Sequence, residues 1–374
     1  MKLERSIAFS GASEDYEDLI LTPEQLHRIF DAHESRSYSF WYLNLSPEQS
    51  VVLAAKTNME GIWFCSLSDK GQALVHWLEN HNEQRTLGSF SCQYYGAWEN
   101  ILEFTCRSSY PVFNQIVYDQ FYVINSDPYR YSLLVNANVN SISVLVNPYS
   151  FANGECDVLL HALGNGTMVS PKIEFDFDAD SSELDERLEL FEIGLHALFA
   201  AISLPGCTLK ELDLKMETVR LSRSAIVFEE HIIDMLQQNK HLETLGLNCT
   251  VAPLQFPAMG IMNAAAQHPC LRKLIFIPPP HLEPPAVESF SPFPVWIQSH
   301  LDHCIQFHDW GRNSVKQQTE KWQNYVFLSR FALLQQVNDE RIRSHLLVMA
   351  LSNHSSAPQN VYFLLSWNVD AFAK

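Results

Sequence analysis

The apolar positions of this chain recur in one spelling. Leu209-Lys-Glu-Leu212-Asp-Leu214, Leu242-Glu-Thr-Leu245-Gly-Leu247 and Leu271-Arg-Lys-Leu274-Ile-Phe276 each read L-x-x-L-x-(L/F), with steps of 33 and 29 residues between their starts. A hydrophobic pattern repeating every 20–50 residues predicts stacked units that bury their apolar faces against their neighbours. Weaker versions precede them. Ile62 to Cys65, Leu87 to Cys92 and Val139 to Val144 are short β-type runs, and Ile173-Glu-Phe-Asp-Phe177 alternates strictly, as a half-buried strand does. The 52-residue step between Phe90 and Ile142 leaves room for one further unit around Phe113 to Tyr118.

Helix signals fall between these runs. Leu21-Thr-Pro-Glu-Gln-Leu26 and Leu45-Ser-Pro-Glu-Gln-Ser50 are near copies 24 residues apart. In each, Thr or Ser supplies an N-cap, Pro the first helical position and Gln the far side of a capping box. They predict helices from Pro23 to Ala32 and from Pro47 to Ala55. Ser68-Asp69 is a third cap, before a helix with Ala73, Leu74, Trp77 and Leu78 on one face. Further helices are expected from Cys156 to Leu163 and from Glu183 to Ala201. Gly164-Asn-Gly-Thr167 reads as the turn that ends the first of these.

The expected fold is therefore α/β, a leucine-rich-repeat-like solenoid of strand–helix units with a helical terminal cap. An ordinary α/β domain is the alternative, since L-x-x-L-x-L also describes a buried strand beside a helix end. Residues 1–58 are expected to form an N-terminal helical capping segment and residues 59–277 the repeat array. Pro278-Pro-Pro-His-Leu-Glu-Pro-Pro285, with Pro292 and Pro294, marks residues 278–294 as an extended loop. The last repeat and a helical cap occupy 295–374, with helices over Lys321 to Val337, Asp339 to Leu351 and Pro358 to Phe372.

The repeats resemble a degenerate leucine-rich-repeat array of the long, ribonuclease-inhibitor-like type. The chain also resembles the leucine-rich-repeat-like proteins of diatoms and related algae, through Leu21 to Leu26, Gln49 to Leu53, Asp69 to Ala73, Ile305 to Arg312 and Trp322. The usual repeat asparagine is often missing. This resemblance implies binding instead of catalysis and brings no catalytic residues with it.

Composition narrows the partners. The chain has 374 residues, with 25 Lys and Arg against 43 Asp and Glu, a formal charge of −18. Such an acidic chain is a poor match for nucleic acid or an anionic membrane and favours basic ligands. The N-terminus lacks the apolar run of a signal peptide, and no apolar stretch approaches the ~20 residues of a transmembrane helix. Eight cysteines without C-x-x-C pairs suit reduced, buried thiols. A cytoplasmic or nuclear location is expected, and the N-x-S/T triplets at Asn44, Asn165, Asn248 and Asn353 are read as chance matches.

In a strand spelled L-x-x-L-x-L the leucines face the core and the intervening residues the concave outer face. That places Glu174, Asp176 and Asp178 beside Glu211, Asp213 and Lys215, followed by Thr244, Asn248 and Lys273. The first two strands would make an acidic patch attractive to a basic protein partner; the competing reading is a solvated face whose charges only maintain solubility. Asp176-Phe-Asp-Ala-Asp180 lacks the glycine and distal glutamate of a calcium loop. His300-Leu-Asp-His303-Cys304-Ile-Gln-Phe-His308 is the one run with zinc-ligand residue types. One straight helix cannot close a tetrahedral site, and a strand over Cys304 to Phe307 would disperse the histidines. No nucleophile motif, phosphate loop or cofactor signature appears. The expected function is a non-catalytic protein-interaction scaffold. The alternatives are a ubiquitin-ligase substrate receptor, a metal-binding protein or metal-dependent enzyme using His300 to His308, and a protein that self-associates through unsealed repeat ends.

Overall fold

A computed structural model describes residues 6–11, 17–32, 36–56, 59–63, 66–81, 86–91, 99–119, 128–146, 149–177, 184–215, 225–248, 259–277 and 304–306, with residues 344, 347, 348, 351, 361 and 365. The chain divides into two compact units, Met1–Val219 and Arg220–Lys374.

In the first unit, strands β1 (Ser6–Ser10), β3 (Arg36–Trp41), β5 (Met59–Trp63), β7 (Leu87–Ser91), β8 (Phe113–Asp119), β9 (Ser141–Val146), β10 (Lys172–Phe177) and β11 (Glu211–Lys215) form one parallel sheet, side by side in chain order. Three short strands, β2 (Glu17–Asp18), β4 (Leu43–Leu45) and β6 (Ser66–Leu67), make a second parallel sheet. Parallel neighbours need crossover connections, and these carry α1 (Pro23–Asp31), α2 (Pro47–Ala55), α3 (Gln72–Asn80), α4 (Glu99–Arg107), α5 (Pro128–Asn136), α6 (Tyr149–Ala152), α7 (Asp157–Asn165) and α8 (Leu184–Ser203).

Each strand contributes one central apolar residue to a single row. Ile7, Tyr38, Ile62, Phe90, Ile116, Ile142, Ile173 and Leu212 lie in register from β1 to β11. From Tyr38 to Leu212 none is more than 5% exposed. Full burial of such side chains stabilises by roughly 1.5–3 kcal/mol each, so this row is the spine of the unit. Helices close over it: Phe30 of α1 meets Tyr38 edge-on, Tyr131 of α5 meets Tyr118, and Phe151 of α6 meets Phe175 and Phe177. Successive helices also touch one another from α1 through α5, then α5 with α7 and α7 with α8. Strands in sequential order with crossovers of one hand place all their helices on one side. The other side of the sheet is left to the alternate residues.

The two near-identical helix starts form as the spelling predicts. Thr22 and Ser46 each accept from the backbone N–H of Gln25 and Gln49, and each glutamine side chain returns to its cap. Their surroundings differ. Gln25 is exposed, whereas Gln49 is buried and its Nε2 also donates to the carbonyls of Leu19 and Leu21, at 2.9 and 2.5 Å. Gln49 thus ties one unit to the one before. Replacing it with alanine strands two backbone acceptors and is expected to cost about 2 kcal/mol, against under about 1 kcal/mol for Gln25→Ala. Urea unfolding of both variants checks this; equal losses would remove the bridging role.

The N-cap of α3 is Gly71, at φ 80, in place of the expected Ser68-Asp69, although the Asp69 carboxylate still accepts from Gly71 and Ala73. Gly166 ends α7 in the left-handed region at φ 64, and the Thr167 N–H reaches back to the Ala162 carbonyl. The repeating strands begin earlier than the expected residue 59. Both β1 and β3 lie within residues 1–58 and continue the same sheet, so that segment is more than a helical cap.

The second unit contains β12 (Thr244–Asn248), β13 (Lys273–Ile277) and β14 (Cys304–Gln306), parallel and in chain order, with α9 (Ala225–Gln238) packed on α10 (Met259–Gln267). The proline-rich loop at 278–294 and the helix expected over 321–337 lie outside the described residues. In the two later helices, residues 344, 347, 348, 351, 361 and 365 are helical. Of the four cysteines described as free, Cys156 and Cys207 are buried, Cys106 is half-buried and Cys270 is exposed, the last contrary to the expected burial.

Candidate functional site: the outward face of the sheet

On the strands of the long sheet the residues flanking the central apolar position alternate to the face opposite it. Across β3 to β9 one row reads Ser37, Gly61, Ser89, Gln115 and Ser141 in register. A second runs Ser91, Val117, Ser143, Glu174 and Asp213, and a third Leu145, Asp176 and Lys215. The face is thus hydroxyl-rich towards β3 and charged at β10 and β11. The serine side was missed in reading the sequence, although a signal for it exists. Ser37-Tyr-Ser39, Ser89-Phe-Ser91 and Ser141-Ile-Ser143 are the same triplet, each centred on the core row that runs through Tyr38, Phe90 and Ile142.

The charged end is a lattice of ion pairs. Lys172 lies opposite Glu211 in register but reaches diagonally to Asp213, with Nζ 2.6 Å from Oδ2 and 4.0 Å from the Glu211 carboxylate. Lys215 lies opposite Asp176 and reaches diagonally to Glu174 at 2.6 Å. The Ser143 hydroxyl donates to the same Glu174 oxygen at 2.9 Å. Burial works against the Lys172 ammonium, but the hydrogen bond to Asp213 and the charges of Asp213, Glu211 and Glu174 outweigh it and hold its pKa above the ordinary lysine value.

The expected acidic patch is therefore corrected in detail. Glu174, Asp176, Glu211 and Asp213 do come together, yet Lys172 holds Asp213 and, at 4.0 Å, Glu211, while Lys215 holds Glu174. Four carboxylates against two ammonium groups leave a local charge of −2. Lys172, at the strand's first position, had not been singled out, because its role depends on what lies one strand away. Asp178 lies outside the described residues. In the second unit Thr244 and Lys273 are half-buried neighbours in register. Asn248 is only 8% exposed, and its Oδ1 has no hydrogen-bond partner among the described residues, so it is not the open contact expected.

The candidate metal run does not form a helix where it is described. Cys304 to Gln306 pairs with β13 as a parallel strand, the strand alternative named for this run, while His300, His303 and His308 lie outside the described residues. Among the described residues no group of three His, Cys, Asp or Glu side chains is placed to share an ion. A cavity of about 230 Å³ sits at the helix-to-strand turns, walled by Leu163, Gly166, Met168, Val169 and Leu209. Lys210 is the one ionisable group among the described residues of its lining. No helix among the described residues is long and apolar enough to cross a membrane. The chain matches no protein-family model and no curated protein, so its outward face is interpreted from its own geometry.

Proposed function

We propose that the chain is a leucine-rich-repeat-like stack that acts as a non-catalytic interaction module, docking a protein partner on the outward face of its sheet. The observation that carries this reading is the strand order. Open α/β sheets bind small ligands in the crevice where their strand order reverses. From β1 to β11 the order never reverses among the described residues, so the topology marks no such crevice there, and the alternate strand residues line one continuous face. Broad, shallow faces suit protein surfaces better than metabolites, which require concave pockets.

The lattice on β10 and β11 refines the partner's chemistry. A residual −2 favours a partner with basic side chains, and the half-buried Ser37, Ser39 and Ser89 add hydroxyls, whereas Ser91, Ser141 and Ser143 are buried. Affinity capture from a lysate with the full chain tests this, alongside Asp176→Lys/Asp213→Lys and a helix-side control, Glu79→Lys. Captured partners should be lost by the face variant and retained by the control, with circular dichroism showing both variants folded although Asp213→Lys removes the Lys172 ion pair. Identical partner sets from all three would discard the outward face as the docking surface.

A further inference from the structure

Among the described residues β1 is the edge strand of the first unit's long sheet. β1 pairs with β3 in unbroken register from Ser6 opposite Ser37 to Ser10 opposite Trp41, and no strand lies on its other side among the described residues. Proteins normally blunt such edges with charge, proline, a bulge or extreme shortness. The neighbouring edge strand β2 is two residues long, acidic and exposed, Glu17-Asp18. β1 has none of these protections: its five residues, Ser-Ile-Ala-Phe-Ser, are uncharged and regular.

The apolar core is also incompletely covered at this end. Ile7 and Phe9 fall on the helix side of β1 and are half-buried, although Phe9 stacks on Phe40 at 5.2 Å. Ile20, which follows β2 in the same unit, is 95% exposed, the highest value among the described large apolar side chains. Ile29 on α1 is half-exposed as well. An unpaired neutral edge and uncovered apolar side chains therefore coincide in one unit.

We propose that this end is a homodimer interface in which β1 pairs antiparallel with β1 of a second copy, about a two-fold axis at Ala8. The sequence of β1 is self-complementary in that register. Ile7 comes opposite the second copy's Phe9 on the helix side, and Ser6 opposite its Ser10 on the outward side. The two apolar faces then join on one side of a continuous sheet. Reversal also carries the acidic β2 strands to opposite ends of the seam, so the carboxylates of Glu17 and Asp18 do not meet their copies. A two-fold contact of this kind closes on itself, whereas head-to-tail pairing would grow filaments.

Ala8 is exposed and meets its own copy at the axis, which makes it the test position. Sedimentation of the full chain over a range of concentrations should give a monomer–dimer equilibrium. Ala8→Lys, folded by circular dichroism, should raise the dimer dissociation constant at least about tenfold by placing two ammonium groups together. Under a mild oxidant, Ala8→Cys should cross-link into dimers beyond the native-chain background, because directly opposite Cβ atoms lie within about 5.5 Å. Ser10→Cys, which faces serine instead, should not. A monomer at every concentration overturns the proposal, as does a dimer that Ala8→Lys leaves unchanged or that Ala8→Cys fails to link.

Discussion

Gly88→Ala is expected to destabilise the first unit by about 3 kcal/mol, the upper range for forcing extra volume into a packed core. A Cβ at this position in β7 would lie 2.3 Å from the Met59 carbonyl oxygen and 2.4 Å from that of Glu60. Both are backbone atoms of β5, so no rotamer change relieves the overlap. The cause lies one strand further away. Arg36 pairs with Met59 and Ser37 with Gly61, which leaves Glu60 as an extra residue, and the resulting irregularity in β5 sits against Gly88. Accommodating a methyl group means separating β5 from β7 where Gly61 and Ser89 pair in the outward row. Urea unfolding measures the loss. Gly154→Ala is the comparison, because φ +79 strains it but its nearest obstacle is the movable Asp157 carboxylate at 3.2 Å. That variant should lose only about 1–2 kcal/mol. Equal losses in the two would mean that β5 and β7 do not approach so closely.

Acid should weaken the second unit through His268. This side chain is 2% exposed, and its Nδ1 accepts from the backbone N–H groups of Cys270 and Leu271 at 3.2 and 2.9 Å. Burial, and then the nearby Lys240 charge, pull its pKa down from 6.5 to about 4. The fold therefore holds the neutral ring. Between these values the unfolded chain binds a proton that the folded chain refuses, so stability is fully present above about pH 6.5. It declines as pH falls towards 4 and no longer changes below that. Such a shift corresponds to about 3 kcal/mol. Asn239, one repeat earlier, supplies the natural control: its Oδ1 accepts from His241 and Leu242 at the same offsets, both at 2.8 Å. His268→Asn should keep the turn and remove this part of the acid sensitivity. Unfolding free energies at pH 7 and pH 4.5 for both proteins test it, and parallel pH dependence would sink the assignment.

Local signals proved readable where a few neighbouring residues suffice. Thr22 with Gln25 and Ser46 with Gln49 specified two helix starts, and the alternation from Ile173 to Phe177 specified a strand. Even the gap between Phe90 and Ile142 held the strand expected near Phe113 to Tyr118. The candidate face was legible only in outline. Glu174, Asp176, Glu211 and Asp213 were placed together by alternation alone, but nothing near Lys172 or Lys215 in the chain reveals that they reach diagonally to carboxylates on the adjacent strand. Likewise Asn239 and His268 share no residue type, so their common role in two successive turns emerges only from their hydrogen bonds.

The sequence by itself determined the alternation of strands and capped helices and the apolar row that joins them, because these follow from periods of 2 and 3.6 residues within one segment. Tertiary structure decided which partners those segments meet. It buried Gln49 while leaving Gln25 exposed, set the Glu60 irregularity against Gly88, and turned an acidic patch into a lattice held by two lysines. It also left β1 at an edge. The contacts behind these outcomes join residues 26 to 41 positions apart in chain, as Ser89 with Gln115 and Glu174 with Lys215 illustrate. Only packing of the central row sets that register, so no local pattern contains it.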